Sequence, residues 1–158
     1  MDNVLGSIVT AILAGLAIYA TVSLIIYIIL VIANWKIFTK AGEAGWKSLI
    51  PFLNTYVIFK ISWEARMFWI MMCSLIAGSI CSTIAGEDGG VVAILGLMFS
   101  IVSIVIGIVD IHKLSKSFGH GIGFTLGLIF FSPIFTLILG FGSSKYIGPN
   151  GEGTVDTI

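Results

Sequence analysis

Asp110, His112 and His120 are the groups in this sequence best suited to chemistry. A carboxylate and two imidazoles can ligate a metal or relay a proton, and ionisable groups at membrane depth are functional suspects by default. The plainer reading is a helix end. His112 and Lys113 suit the negative pole of a helix dipole, and Asp110 can pair with Lys113 three residues on. No metal site and no cofactor is therefore assigned, and no catalytic residue. Glu64 and Arg66 flank the start of an apolar run, but residues two apart do not face each other on a helix. They read as an interfacial charge belt. Glu43 lies among lysines and is expected in solvent. Asn34 and Asn54 suit backbone carbonyls where helices end or bend. Cys73 and Cys81 lie in one apolar run, separated by about 12 Å of helical rise, too far for a disulfide. They read as small core residues.

The elements that hold these groups are apolar. The 158 residues are 58% hydrophobic and 10% charged, with a mean hydropathy of +1.11. A soluble chain carries about 25% charged residues, so a water-facing globular surface is excluded. A net charge of zero implies no bulk electrostatic partner. Four apolar runs, about 5–33, 66–85, 91–110 and 122–141, are each long enough for a bilayer core that needs about 20 residues. Residues 1–141 read as one membrane domain and 142–158 as a short polar, flexible tail. The segment from Met1 to Ser7 lacks Lys and Arg, and the run after it exceeds the roughly 7–15 residues of a signal h-region. The first helix is expected to stay in the mature protein.

Small residues recur along these runs at helical spacing. Ser7, Ala11 and Gly15 mark the first, and Ser74, Gly78, Ser82 and Gly86 the second. Gly96, Ser100, Ser103 and Gly107 mark the third, and Gly119, Gly123 and Gly127 the fourth. Residues three or four apart share a helix face. In lipid such faces hold helices together by letting backbones approach. The expected fold is an all-α membrane protein, a bundle of four transmembrane helices. Pro133 should kink the last span. Trp46 to Ile61 is apolar but too short to cross. With Trp46, Ile50, Leu53 and Val57 on one helical face, it is expected as an amphipathic interfacial segment between the first and second spans. A half-inserted hairpin is the sharper alternative.

Orientation follows from the basic residues. Lys36, Lys40, Lys47, Lys60 and Arg66 lie in the first connector and Lys113 and Lys116 in the third, seven of the eight in the chain. The positive-inside rule makes those connectors cytoplasmic. With four spans, both termini and the acidic turn at Glu87 and Asp88 then face outward. Trp46 and these seven basic residues are expected at the lipid interface, where each basic side chain contributes about 1 kcal/mol near an anionic leaflet. The lysines are spread along a continuous apolar face, which argues against nucleic acid. Lys36-Ile37 with Gly42 also resembles Lys113-Leu114 with Gly119, the trace of a weak internal repeat.

The same stretches carry a family resemblance. Ala41-Gly42-x-x-Gly45-Trp46-x-x-Leu49-Ile50-Pro51-x-x-Asn54-x-Tyr56 forms one block. Ser117-Phe118-Gly119-x-Gly121-x-Gly123-Phe124-x-Leu126-Gly127-Leu128, with Pro133-Ile134-Phe135, Leu139-Gly140-Phe141-Gly142 and Tyr146-x-Gly148-Pro149, forms the other. Together they resemble a bacterial family of small multi-pass membrane proteins of unknown function, some members of which are automatically labelled signal peptidase I. The resemblance implies an architecture in a bacterial cytoplasmic membrane and no activity. Peptidase chemistry needs a serine and a lysine base of lowered pKa on the outer side. The only outward lysine expected is Lys145, beside Ser143 and Ser144 in a polar tail. The chain thus reads as a non-enzymatic subunit or scaffold docking a membrane partner, or itself, within the bilayer. One alternative is a homo-oligomeric pore or small-solute transporter lined by hydroxyls such as Thr125, Ser132 and Thr136. A second is an intramembrane enzyme or metal or proton site at Asp110, His112 and His120.

Overall fold

The computed structural model describes residues 2–85 and 89–153. Six α-helices follow one another: α1 (Asp2–Lys40), α2 (Pro51–Ser62), α3 (Ala65–Ala85), α4 (Gly90–Ser117), α5 (Ile122–Phe130) and α6 (Ser132–Phe141). Short 3-10 turns occupy Gly45–Leu49 and Pro149–Gly151, and the described residues contain no strand. Glu87 and Asp88 of the acidic turn, and Gly86 of the second ladder, lie outside the described residues.

Three helices are long and apolar enough to cross a membrane: Gly6–Lys40, Ala65–Ala85 and Gly90–Ser117. The first does not stop at Asn34-Trp35-Lys36. It runs on until Gly42, whose φ of +76° only glycine adopts without strain. The Glu43 amide donates to Phe38 O at 2.8 Å and the Gly42 amide to Thr39 O at 3.2 Å, a Schellman cap. The end of α4 repeats it. Gly119 has φ +75°, the His120 amide donates to Ser115 O at 3.0 Å, and the Gly119 amide to Lys116 O at 2.9 Å. The matching lysine-to-glycine spacing of the suspected repeat is therefore the spacing of two helix caps.

The fourth apolar run does not form one continuous helix of membrane-crossing length. It breaks at Phe131 (φ −129°, ψ 45°), and Pro133 sits in the first turn of the new helix, where its missing N–H costs nothing. The rings of Phe124 and Phe135 lie 5.0 Å apart, whereas one continuous helix would separate them by about 16 Å. Helix α6 therefore folds back on α5, and the expected kink at Pro133 is a reversal. The Phe135 ring lies against Gly127, where a Cβ would collide with it. Helix α5 starts beside the end of α4, where Ser115 Oγ donates to Gly121 O at 3.1 Å. Helix α6 finishes beside the end of α1, where Lys40 Nζ donates to Leu139 O at 2.7 Å and Gly142 O at 2.8 Å. The pair enters and leaves at one end of the molecule.

The tail follows. Ile147 N donates to Ser117 O at 2.8 Å, Tyr146 Oη to Ile61 O at 2.8 Å, and Lys113 Nζ to Asn150 Oδ1. Residues up to Gly153 are thus docked on the end that carries the connectors, instead of trailing freely at the end of the acidic turn. The main core forms at the same end, from Ile37, Phe38, Val57, Ile61, Leu114, Phe118 and Leu139. Helix α2 belongs to this core. Its Val57 and Ile61 are buried, while Trp46 and Ile50 precede the helix and are exposed, so the four-residue face expected from 46 to 57 does not form.

Among the described residues, α3 and α4 are the two long helices that pack against each other along their length. They run antiparallel with Gly78 against Gly96. A Cβ on Gly78 would sit 3.2 Å from Gly96 O, and one on Gly96 would sit 3.3 Å from Gly78 O. Ser82 and Ser100 turn their hydroxyls onto carbonyls of their own helices, Gly78 O at 2.8 Å and Gly96 O at 2.9 Å, so neither strands its donor in the seam. Ser74 and Ser103 are buried in it. By contrast, Gly15, Gly107 and Gly123 have nothing within 4 Å of a Cβ.

Gly78→Leu and Gly96→Leu should each destabilise the protein by about 1–3 kcal/mol, the scale of core overpacking. Gly107→Ala, in open space on the same helix as Gly96, should be neutral or raise stability by about 0.5–1 kcal/mol. Thermal unfolding in detergent checks the contrast. Equal midpoints for all three variants would show that the seam does not hold α3 to α4.

Candidate functional site

A cavity of about 130 Å³ opens between α1, α2, α4, α5 and α6. One water occupies about 30 Å³ of liquid, so the space admits several. Its walls are mostly aliphatic: Ile37, Ile58, Ile111, Leu114, Leu128 and Leu139. Four polar side chains interrupt them, namely Asn34, Asp110, Ser132 and Thr136.

Each is positioned by a feature already described. Asp110 faces inward because α4 packs on α2, and it is only 4% exposed. Its Oδ1 accepts the hydroxyl of Ser62, itself fully buried. Among the described residues, no basic side chain lies within ion-pair distance of it. The expected partner, Lys113, instead reaches Asn150 and lies over the Trp63 ring at 4.7 Å. Ser132 and Thr136 stand one turn apart at the start of α6, brought there by the reversal at Phe131. Among the described residues, Asn34, Ser132 and Thr136 make no side-chain hydrogen bond to the protein, unlike the many hydroxyls here that bond the preceding helical turn.

The three groups first weighed for metal or proton chemistry do not converge. Asp110 takes Ser62. His112 Nδ1 lies 3.0 Å from Thr125 Oγ1, and His120 stacks on Phe124 with ring centroids 4.1 Å apart. The described residues contain no group of three His, Cys, Asp or Glu able to hold a metal. The polar set that does converge includes two residues, Ser132 and Thr136, legible in the sequence only as hydroxyls on an apolar run. Ser62 gave no sequence signal at all.

Residues 46–149 match DUF5684, a family of unknown function. The chain belongs to that family. No curated protein and no solved structure matches it. The matched stretch runs from the 3-10 turn before α2 into the docked tail and contains Ser62, Asp110, Ser132 and Thr136. Helix α1, with Asn34 and Lys40, lies before it.

The basic residues at this end have definite partners. Lys47 and Lys60 both bind Glu43, at 2.6 and 2.5 Å, so Glu43 is a bridge and not a solvated charge. Lys36 lies 4.5 Å from the Phe141 ring centroid. Arg66 pairs with Glu64, which is possible because Glu64 precedes the first residue of α3 and escapes the helical spacing rule. Lys116 and Trp46 are exposed.

Hydrogen bonds from Lys47 and then Lys60 hold the Glu43 carboxyl below the usual carboxylate range. The same bond to Glu43 lifts the Lys60 ammonium above the ordinary lysine value. A depressed carboxyl contributes stability above its unfolded pKa and loses it as pH falls through the folded one. A raised ammonium contributes below its unfolded pKa and loses it as pH rises through the folded one. Wild-type protein should therefore lose thermal stability below about pH 4, and Glu43→Gln should flatten that acid limb. Lys60 is half exposed, so its alkaline counterpart should be small, within the 0–1 kcal/mol of an exposed pair. Melting curves across pH decide it. An unchanged acid limb in Glu43→Gln would remove the bridge as a source of stability.

Proposed function

We propose that this chain is a non-enzymatic membrane subunit or scaffold that docks a partner helix through α1. The observation that carries the reading is the bareness of that helix. Every residue from Gly6 to Ile29 is exposed, and nothing lies within 4 Å of a Cβ on Gly6 or Gly15. The Ser7, Ala11 and Gly15 face is a shallow groove of the kind that lets helices approach in lipid, and the chain itself puts nothing on it. A helix anchored only at its inner end, beside an α3–α4 pair packed elsewhere, suits a companion in the bilayer.

In this reading the chain has three spans, α1, α3 and α4, with α5–α6 as a re-entrant hairpin. The limbs of the hairpin pack on protein, α5 on α4 and α6 on α1, and the exposed turn at residues 129–134 is covered by the apolar side chains of Phe130, Phe131 and Ile134 facing outward. With the hairpin returning to its own side, Lys145 joins the other basic residues, so all eight Lys and Arg fall at one end. That end is cytoplasmic by the positive-inside rule. The N-terminus is outside and the tail inside, in place of two outward termini. A bacterial cytoplasmic membrane, as the resemblance implies, suits this arrangement. Signal peptidase chemistry finds no support: Lys145 is exposed in the tail, whereas a lysine base must be desolvated. A solute or ion pathway is the second reading, favoured by the cavity around Asp110.

Two experiments test the proposal. Impermeant thiol reagent added from outside, in a background lacking Cys73 and Cys81, should spare both Ser143→Cys and Lys116→Cys. Outside labelling of Ser143→Cys alone would restore a fourth span. In lipid nanodiscs, the wild-type chain should carry a second copy or a co-purifying chain. Gly15→Leu should shed it without changing the melting temperature of the isolated chain, because no intrachain contact is disturbed. A bare monomer from native lipid would sink the docking reading.

A further inference from the structure

We propose that the cavity at the inner end is a binding site for a monovalent metal cation of the sodium class. Asp110 supplies the negative charge, and Asn34, Ser132 and Thr136 supply neutral oxygens. Three observations carry this. The first is a carboxylate buried to 4% exposure that forms no ion pair among the described residues. One of its oxygens is bound by Ser62; the other has no protein donor among the described residues. An isolated carboxylate in an apolar wall is costly unless a cation or proton compensates it.

The second observation is the unclaimed polar set. Asn34, Ser132 and Thr136 line the same cavity as Asp110 and form no side-chain hydrogen bond to the described protein. An amide and two hydroxyls offer oxygen ligands without charge. One carboxylate plus neutral oxygens balances a single positive charge. Calcium prefers several carboxylates among six to eight oxygens, and magnesium keeps most of its waters, so divalent ions suit the site poorly. The absence of thiols and imidazoles from the wall disfavours zinc and copper.

The third observation is the broken helix. Leu128 in the last turn of α5 lines the cavity, and the last carbonyls of a helix have no intrahelical donor. Ends of discontinuous helices inside membranes are places where backbone oxygens meet small cations. The volume of about 130 Å³ leaves room for an ion with waters completing its shell.

The test uses the full chain in detergent or nanodiscs, exchanged into choline chloride. Sodium chloride is then titrated at constant total salt while the melting temperature is followed. A ligand that binds only the folded state raises it as concentration passes Kd. Wild type should show a saturable rise with sodium, and lithium and potassium should differ from it in midpoint. Asp110→Asn should abolish the sodium response. Should that variant fail to fold, Thr136→Val and Ser132→Ala keep the question open to decision, since both face the cavity without structural hydrogen bonds. Each should weaken the apparent sodium affinity several-fold. Equal melting temperatures in choline and sodium would overturn the proposal. So would a stability that follows pH through the acid range but ignores sodium, since the carboxylate would then be holding a proton. A sodium response unchanged in the Thr136 and Ser132 variants would overturn it as well. None of these outcomes bears on whether α1 docks a partner.

Discussion

The ammonium of Lys40 on the carbonyls of Leu139 and Gly142 is the contact on which the rest of the inner end depends. A helix that ends within protein leaves carbonyls that need donors, and α6 ends at the edge of a membrane domain where water is scarce. Lys40 supplies the donors and a positive charge at the negative pole of α6. That bond fixes where α6 stops. It thereby fixes where the tail starts, and it sets α6 against α1 so that Gly140 backs directly onto the Ala33 backbone, with a would-be Cβ 2.7 Å from Ala33 O. Asn34 and Ile37 on one side and Ser132, Thr136 and Leu139 on the other then become opposite walls of one cavity. Lys36 over the Phe141 ring is the other charged contact between the returning limb and the first helix among the described residues.

The two halves of the molecule are held by different physics. At the inner end, aromatic and aliphatic side chains form a core of the soluble kind. Phe68 is fully buried, with the rings of Phe52, Trp69 and Tyr56 at 4.9, 5.3 and 5.5 Å. Away from that end, the seam among the described residues is the glycine and serine contact of α3 with α4, where close backbone approach replaces bulk. This division follows from the solvent. Apolar side chains gain little by leaving lipid for protein, but gain much by leaving water. The large residues therefore cluster near the aqueous boundary, and the small ones mark the contact within the bilayer.

That division also explains what the sequence made legible. The α3–α4 seam was readable because Gly78 and Gly96 sit on uninterrupted helices where a four-residue step means one face. The same step at Gly119 and Gly123 carried a different meaning. Gly119 ends a helix with positive φ, and Gly123 opens onto empty space. Gly119 meets Ile147 of the docked tail, and Gly127 meets Phe135 across a reversal that periodicity cannot see. An apolar run of about 20 residues has the length of a span whether it crosses or folds back. The local signal for reversal was Ser132-Pro133, and a proline inside a membrane helix more commonly signals a bend. A run that crossed would carry the tail to the end of the acidic turn, whereas the tail bonds to Ile61, Lys113 and Ser117. In the site, Asp110 stood out by charge alone. Its partner Ser62 could not, because a serine next to a tryptophan at the end of an amphipathic stretch has no pattern of its own.

The basic residues show how a sequence bias can cluster at one end of a fold and still say little about contact. A cluster of lysines beside apolar segments reads as a surface for anionic lipid. In the folded chain most of that charge is already engaged: Lys47 and Lys60 by Glu43, Lys40 by helix-end carbonyls, Lys113 by Asn150 and the Trp63 ring, and Lys36 by the Phe141 ring. Arg66 has Glu64. Among the described residues, Lys116 and Lys145 alone of the eight basic groups have neither a hydrogen bond nor an ion pair nor a ring. A lysine that bridges a glutamate or caps a helix cannot give the same proton to a phosphate without giving up a partner. The charge that orients such a chain during insertion is thus largely consumed in folding its inner end, where it closes helix termini and ties together three connectors that the apolar spans alone would leave apart.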